Sequence, residues 1–305
     1  MRVIISGGTG VIGSALVAQL SHEGHEIIVL SRTPAKEATP PGVRIVTWDS
    51  KTADGWGQWM DGADAVVNLA GQPISTGTIP SPWTADYKRK IELSRQQAGE
   101  ALVAAIDAAE HKPAVLFQVS GVDYYPYSDK VMTEDDPPGD HFLARVVADY
   151  WEPSTAPVEA MGVRRVIGRM GPLLNIENGP LPSSLLQFKL FAGGRLGSGK
   201  QWMSWVHIDD AVGALRFLMD HEQAHGVYNI VAPKPVTNDE YTATLGKVMN
   251  RPTFIPVPEF AMRTALGEVS DLVLKGRPVS AEKLQAAGYV FRFPTIEAAL
   301  RDLIK

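Results

Sequence analysis

No cysteine occurs in the 305 residues. That excludes disulfides, thiolate nucleophiles and cysteine-ligated metals. The seven histidines are read as scattered, so no metal centre is expected. Basic residues are outnumbered, 29 Lys and Arg against 34 Asp and Glu, for a net charge of −5. That balance speaks against nucleic acid as the main partner. There is no run of about 18 apolar residues, so no membrane span is expected. Arg2 leads into a strand pattern rather than a signal peptide's apolar stretch and cleavage site. Internal repeats and low-complexity tracts are absent as well. The chain does have enough apolar residues, 45 %, to fill a substantial core. The expectation is a soluble, cytoplasmic protein of one large or two modest domains.

The stretch MRVIISGGTGVIG at positions 1–13 organises the rest. Arg2 to Ser6 is a short β-branched run that suits a buried parallel strand. Gly7, Gly10 and Gly13 follow at G-x-x-G-x-x-G spacing, and Ser14 to Leu20 has apolar residues at helical spacing. Strand, glycine turn and helix are the context a dinucleotide loop requires. The first glycine permits the tight turn, the second lets the backbone approach a pyrophosphate, and the third lets helix pack on strand. The helix N-terminus offers free N–H groups and partial positive charge to phosphates. A second strand, His25 to Leu30, ends in Ser31-Arg32. That is roughly 20 residues past the loop, where the ribose-reading residue belongs. An acidic residue there would bind the 2′-hydroxyl of NAD. A hydroxyl beside a guanidinium suits the 2′-phosphate of NADP instead.

Further strands are predicted at Val43–Trp48, Ala63–Leu69, Val115–Ser120 and Arg164–Arg169, and a long helix at Ala85–Ala109. Pro73 to Pro82 reads as a loop, and Phe142–Met161 as helical with an interruption near Pro153. Alternation of this kind makes a doubly wound parallel sheet. Later come a helix at Leu181–Phe191, a glycine-rich loop at Gly193–Gly199, a helix at Asp209–Asp220 and a strand at Gly226–Val231. Helices at about Asp239–Met249 and Thr295–Ile304 flank a region with five prolines. The expected architecture is α/β. A Rossmann domain spans 1–175, with later crossings at about 200–232. A smaller C-terminal α+β substrate lobe, 176–305, caps the strand ends.

SGGTGVIG at 6–13, NLAG at 68–71 and Trp83-Thr84 leading to Ser94-Arg95 resemble the extended short-chain dehydrogenase/reductase superfamily. GSGKQWMSWVHIDDAV at 197–212 and the tail stretches YNIVAPKPVTNDEY and LKGRPVSAEKLQAAGYVFRFPTIEAAL are similar to its atypical epimerase family of NAD-dependent epimerase/dehydratase-like proteins. The resemblance covers essentially the whole chain. It implies a Rossmann domain with a nicotinamide dinucleotide. It implies Thr9, Gly10, Val11 and Ile12 on the pyrophosphate and Ser31-Arg32 on the 2′-phosphate. Leu69-Ala70 would lie beside the cofactor, Lys90 and Arg95 would approach it, and Leu173 would lie near the nicotinamide half.

The superfamily's chemistry uses Tyr and Lys at Y-x-x-x-K spacing on one helical face. The ammonium lets the phenol exchange a proton at neutral pH. No tyrosine here has a lysine four residues on, and Phe142 and Val146 stand where the pair belongs. What remains is Ser120 at a strand end, to polarise a carbonyl, with Tyr124 or Tyr125 as proton donor. Two readings follow. One is an NADP-dependent oxidoreductase or sugar-nucleotide-epimerase-like enzyme with a small-molecule substrate in the cleft above Ser120. The other is a non-catalytic NADP-binding sensor or regulatory protein. His207 with Asp209-Asp210 is a further candidate group, for which capping of the next helix by Asp209 or Asp210 is the simpler expectation.

Overall fold

The apolar runs of the first half become central strands because both of their faces are covered. The computed structural model describes residues 1–33, 39–75, 81–177 and 179–305. Seven strands form one sheet, β1 (Arg2–Ser6), β2 (Glu26–Ser31), β3 (Val43–Thr47), β4 (Ala65–Asn68), β5 (Val115–Gly121), β6 (Arg164–Met170) and β7 (Gly226–Ile230). Their order is β7-β6-β5-β4-β1-β2-β3. Every neighbouring pair is parallel. The strand order reverses between β1 and β4, so the crevice for a ligand opens at their carboxyl ends.

Among the helices are α1 (Val11–His22), α2 (Ala85–Ala108), α3 (Phe142–Arg145), α4 (Pro180–Lys189), α5 (Ile208–Asp220), α6 (Asn238–Met249), α7 (Glu259–Leu266) and α8 (Ile296–Leu303), with two further short helices at Asp271–Leu274 and Glu282–Ala286. Alternate strand residues point to opposite faces. Val3, Ile5, Val29, Val67 and Phe117 therefore pack with Leu16 and Leu20 of α1 and Leu215 and Leu218 of α5. Ile4, Ile28, Val66 and Leu116 pack with Ala98, Leu102 and Ile106 of α2 and with Val158. A third core joins Leu181, Leu185 and Phe188 of α4 to Trp205, Tyr241 and Leu245 of α6, and Ala299 and Leu300 of α8. It gives the second half of the chain a centre away from the sheet.

The expected interruption near Pro153 has a specific form. After α3 the backbone widens into a π-helix over Val146–Trp151, then tightens into a 3₁₀ helix over Pro153–Met161. The Glu152 amide donates to Val147 O, five residues back, at 3.0 Å. Wide turns of this kind re-aim side chains and are frequent at functional sites. The Gly193–Gly199 segment, expected as a loop, is pinned by bridges from Gly194 to Phe254 and from Leu196 to Val257. Of the Pro73–Pro82 loop, residues 76–80 lie outside the described residues. No helix among the described residues is long and apolar enough to cross a membrane.

Candidate functional site

The glycine turn lies at the carboxyl end of β1. Gly7 has φ +70, and a Cβ there would sit 2.7 Å from the Leu69 carbonyl carbon. A Cβ on Gly13 would sit 2.3 Å from Gly7 O and 2.6 Å from Gly8 Cα. Gly10 differs, since its Cβ would meet only Gly7 O, at 3.3 Å. Two glycines are thus fixed by backbone packing, and the third leaves the surface bare. Gly10 is also the N-cap of α1, with no side-chain cap and no acidic residue in the first turn. The amides of Val11, Ile12 and Gly13 are left for an anion, as at any uncapped helix start. Thr9 beside them is exposed.

The other expected cofactor residues fall into three groups. Leu69 and Ala70 pack against Gly7, so they border the turn. Ser31 is buried at the end of β2 and accepts a hydrogen bond from Thr33 N at 3.2 Å. Its own proton goes to no described residue. Arg32 is exposed, and no ion pair joins it to a described residue. Lys90 is exposed on α2, and Leu173 pairs with Val206 beyond β6. Arg95 is placed differently from expectation. It is 5 % exposed, donates through Nη1 to Gln72 O at 3.0 Å and Ile91 O at 3.1 Å, and stacks on Trp151. Burial pulls its guanidinium down to about 10. Its visible role is to hold the Gly71-Gln72 backbone at the end of β4.

Ser120 also departs from its expected role. It is 2 % exposed, and its hydroxyl donates to Glu152 Oε1 at 2.7 Å. A serine has one proton to give, so this geometry does not polarise a carbonyl. Glu152 is turned toward β5 and β6 by the π-helix. Arg169 grips it with two hydrogen bonds of 2.8 Å, from Nε and Nη2. Nη1 of Arg169 donates to the Tyr125 hydroxyl at 3.0 Å, which in turn donates to Asn229 Oδ1 at 2.7 Å. Tyr125 is fully buried, and burial pushes its phenol up to about 12. It is a structural phenol. Tyr124 is half-buried, with the Arg169 guanidinium carbon 3.3 Å from its ring centroid. Its hydroxyl bonds to no described residue and is not buried. Of the expected catalytic residues, Tyr124 is the one whose hydroxyl is left unburied.

The tail contributes a second cluster. Arg277 is 5 % exposed and donates to Val122 O at 3.0 Å and Asp123 Oδ1 at 3.2 Å. It also lies over the Tyr127 ring, which stacks on His141 with centroids 4.5 Å apart. His141 Nδ1 accepts the Ala144 amide and must be bare, so Nε2–H donates to Tyr125 O at 3.2 Å. Phe142 packs edge-on against Trp83, and Val146 is buried. Neither offers a proton.

His207, not Asp209 or Asp210, caps α5. Its Nδ1 accepts from Asp209 N at 3.1 Å, and its ring lies on Phe293. Asp210 instead receives the Arg292 and Phe293 amides and the Tyr289 hydroxyl. One histidine pair, His221 and His225, does have helical spacing, but it lies just past the end of α5. No group of three metal-ligating side chains occurs among the described residues.

Burial lowers the pKa of both His141 and His207 below the ordinary histidine value. Unfolded histidines protonate at about pH 6.5. Below that pH the unfolded state binds protons that the native rings refuse, so stability is lost as pH falls. Urea midpoints should drop from pH 7.5 to 5, and less so in His207→Asn, whose amide oxygen can still cap α5.

The NAD dependent epimerase/dehydratase family description matches residues 3–150 and 173–231. A domain of unknown function matches 257–303. An epimerase family protein of Staphylococcus haemolyticus is 40 % identical over 309 residues, spanning 99 % of both chains. The crystal structure of a human epimerase family protein with NADPH is 35 % identical, with a TM-score of 0.89 and 99 % of both chains covered. A nucleoside-diphosphate sugar epimerase of Corynebacterium glutamicum is 31 % identical, with a TM-score of 0.77, over 99 % of this chain and 58 % of that one.

Proposed function

The chain belongs to the NAD-dependent epimerase/dehydratase family, and from that premise we propose that it is an NADP(H)-dependent oxidoreductase or sugar-nucleotide-epimerase-like enzyme. The observation that carries this reading is the bare Gly10 surface at the uncapped start of α1. A diphosphate fits there because no side chain stands near Gly10 and the first-turn amides of α1 are left without a side-chain cap. Thr9, Val11, Ile12 and Gly13 hold the pyrophosphate. Leu69 and Ala70 border the cofactor, Arg95 fixes the loop that follows them, and Lys90 and Leu173 lie toward its two ends. Arg32, exposed and without an ion-pair partner among the described residues, reads the 2′-phosphate with Ser31 beside it. The NADPH in the similar human structure supports the same choice. When bound, the dinucleotide supplies or takes a hydride, and the chain supplies position and electrostatics. Residues 176–305, apart from the later crossings at about 200–232 that complete the Rossmann sheet, form the substrate lobe around a core of their own. The substrate is a small molecule in the cleft above Ser120, and the protein works in the cytoplasm.

NADPH should stabilise the folded protein against heat more than NADH does, since a ligand of the native state alone raises its apparent stability. Equal effects would defeat the choice of NADP, and no effect from either would defeat dinucleotide binding. Arg32→Ala should weaken NADPH binding by about 1–3 kcal/mol, the scale of a charge-assisted contact, and leave NADH unchanged. Isothermal titration with both dinucleotides checks this. The second reading, a non-catalytic NADP-binding sensor or regulator, is favoured by Phe142 and Val146, which replace the usual pair with packing groups. It predicts tight NADPH binding with no turnover across sugars, aldehydes, ketones and quinones.

A further inference from the structure

A hydride carrier moves no proton for the oxygen of its substrate, so some side chain or water must. The helix that carries the Tyr–Lys pair elsewhere in the superfamily offers Phe142 and Val146 here. Tyr125 is closed off, with its hydroxyl both giving and accepting a buried hydrogen bond. Ser120 has its proton committed to Glu152. Among the described residues past the end of β5, Tyr124 presents a hydroxyl that is unburied and bonds to no described residue.

The group behind Tyr124 is a cation. Each nitrogen of the Arg169 guanidinium donates a hydrogen bond, Nε and Nη2 to Glu152 and Nη1 to Tyr125. The guanidinium carbon lies over the Tyr124 ring, 3.3 Å from its centroid. Tyr125 packs edge-on against the same ring, with centroids 5.3 Å apart, and the Gly139 amide holds the Tyr124 carbonyl at 2.8 Å. Glu152 fixes the guanidinium through the Nε and Nη2 edge.

We propose that Tyr124 is the proton-transfer residue of this site and that Arg169, held by Glu152, replaces the absent lysine as its positioning cation. The proposal rests on the dinucleotide reading and names the ligand class as a carbonyl or carbinol compound whose oxygen meets the Tyr124 hydroxyl. In the reducing direction a bound reduced dinucleotide would supply hydride to the carbonyl carbon, whose C=O π pair would move onto the oxygen. The phenol O–H bond breaks, its electron pair stays on the phenol oxygen, and the proton forms the new O–H bond on the ligand. The negative charge left on the phenol faces Arg169, and solvent returns the proton. A nearby opposite charge favours the ionised form of a group, and a cation over an aromatic face is held there by the ring itself.

Acetylation by N-acetylimidazole, read residue by residue by mass spectrometry, tests the pair without a substrate. Tyr150 is the internal control, because it is also half-buried and no cation lies over its ring among the described residues. In the protein without dinucleotide, Tyr124 should acetylate about tenfold faster than Tyr150, because the Arg169 guanidinium holds its ring in place. Arg169→Met should bring the ratio toward one, and Arg169→Lys should restore part of it. A native ratio near one overturns the proposal even if no variant folds, and so does a native-like ratio in Arg169→Met. Saturating NADPH should slow Tyr124 and leave Tyr150 unchanged. If the native ratio holds but NADPH neither protects nor stabilises, the dinucleotide reading fails and the Tyr124–Arg169 pair stands.

Discussion

Gly13→Ala should lose about 3 kcal/mol of folding stability, the upper range for forcing an extra carbon into packed structure. Gly10→Ala, three residues earlier in the same turn, should stay within about 1 kcal/mol of the parent. The difference comes from what each new methyl meets. At Gly13 the obstacles are main-chain atoms, Gly7 O at 2.3 Å and Gly8 Cα at 2.6 Å. Backbone cannot step aside as a flexible side chain can, so α1 must move off β1. At Gly10 the φ of −81 suits alanine, and the nearest atom stands at 3.3 Å. The binding effects should not follow the same order. Gly10→Ala places its methyl on the surface that the pyrophosphate must touch, and NADPH affinity should fall about tenfold or more, the scale of a lost charge-assisted contact. Urea unfolding and a fluorescence titration of NADPH separate the two quantities. A Gly10→Ala protein with native NADPH affinity would remove the dinucleotide from this turn.

That turn was legible in the sequence because it is local. Three glycines, a strand before them and a helix after them lie within twenty-two residues, and each has a stereochemical reason readable from its type. The parallel strands and α2 were legible for the same reason, since their periodicity is carried by consecutive residues. The Ser120–Glu152–Arg169 network was not. Its members lie 32 and 17 residues from one another along the chain. The π-helix that aims Glu152 leaves no mark in apolar spacing, because it is selected by what Trp151 and Glu152 meet across the fold. Arg277 reaches Asp123 from 154 residues away, out of a proline-bearing tail whose pattern predicts only loops and short helices. The cap of α5 was misassigned for a related reason. Asp210 has the right type, but its carboxylate is claimed by amides 82 and 83 residues later. The helix start at α6 did carry a readable signal in Thr237-x-x-Glu240, which closes as a reciprocal capping box.

Glu152→Met and Arg169→Met should each destabilise the fold by about 3–5 kcal/mol, as expected when one member of a buried ion pair is left alone. Arg169 is 3 % exposed and Glu152 9 %. Without Glu152, the guanidinium keeps only the Tyr125 oxygen as a side-chain hydrogen-bond acceptor. Without Arg169, the carboxylate keeps the single proton of Ser120. Removing both charges together should recover most of the loss, because buried pairs replaced by apolar groups of like volume are often near neutral. The double-mutant cycle, measured by urea unfolding at pH 7.5, should therefore show a large coupling energy. Additive losses would mean that the two side chains stabilise the sheet independently, for instance through Ser120 and Tyr125. Near-neutrality of the double variant would have a second consequence. A fold that can do without this pair has no structural need for a cation flat against the Tyr124 ring. The refolded double variant should then have lost the selective acetylation of Tyr124, which would separate what the pair does for the phenol from what it does for the sheet.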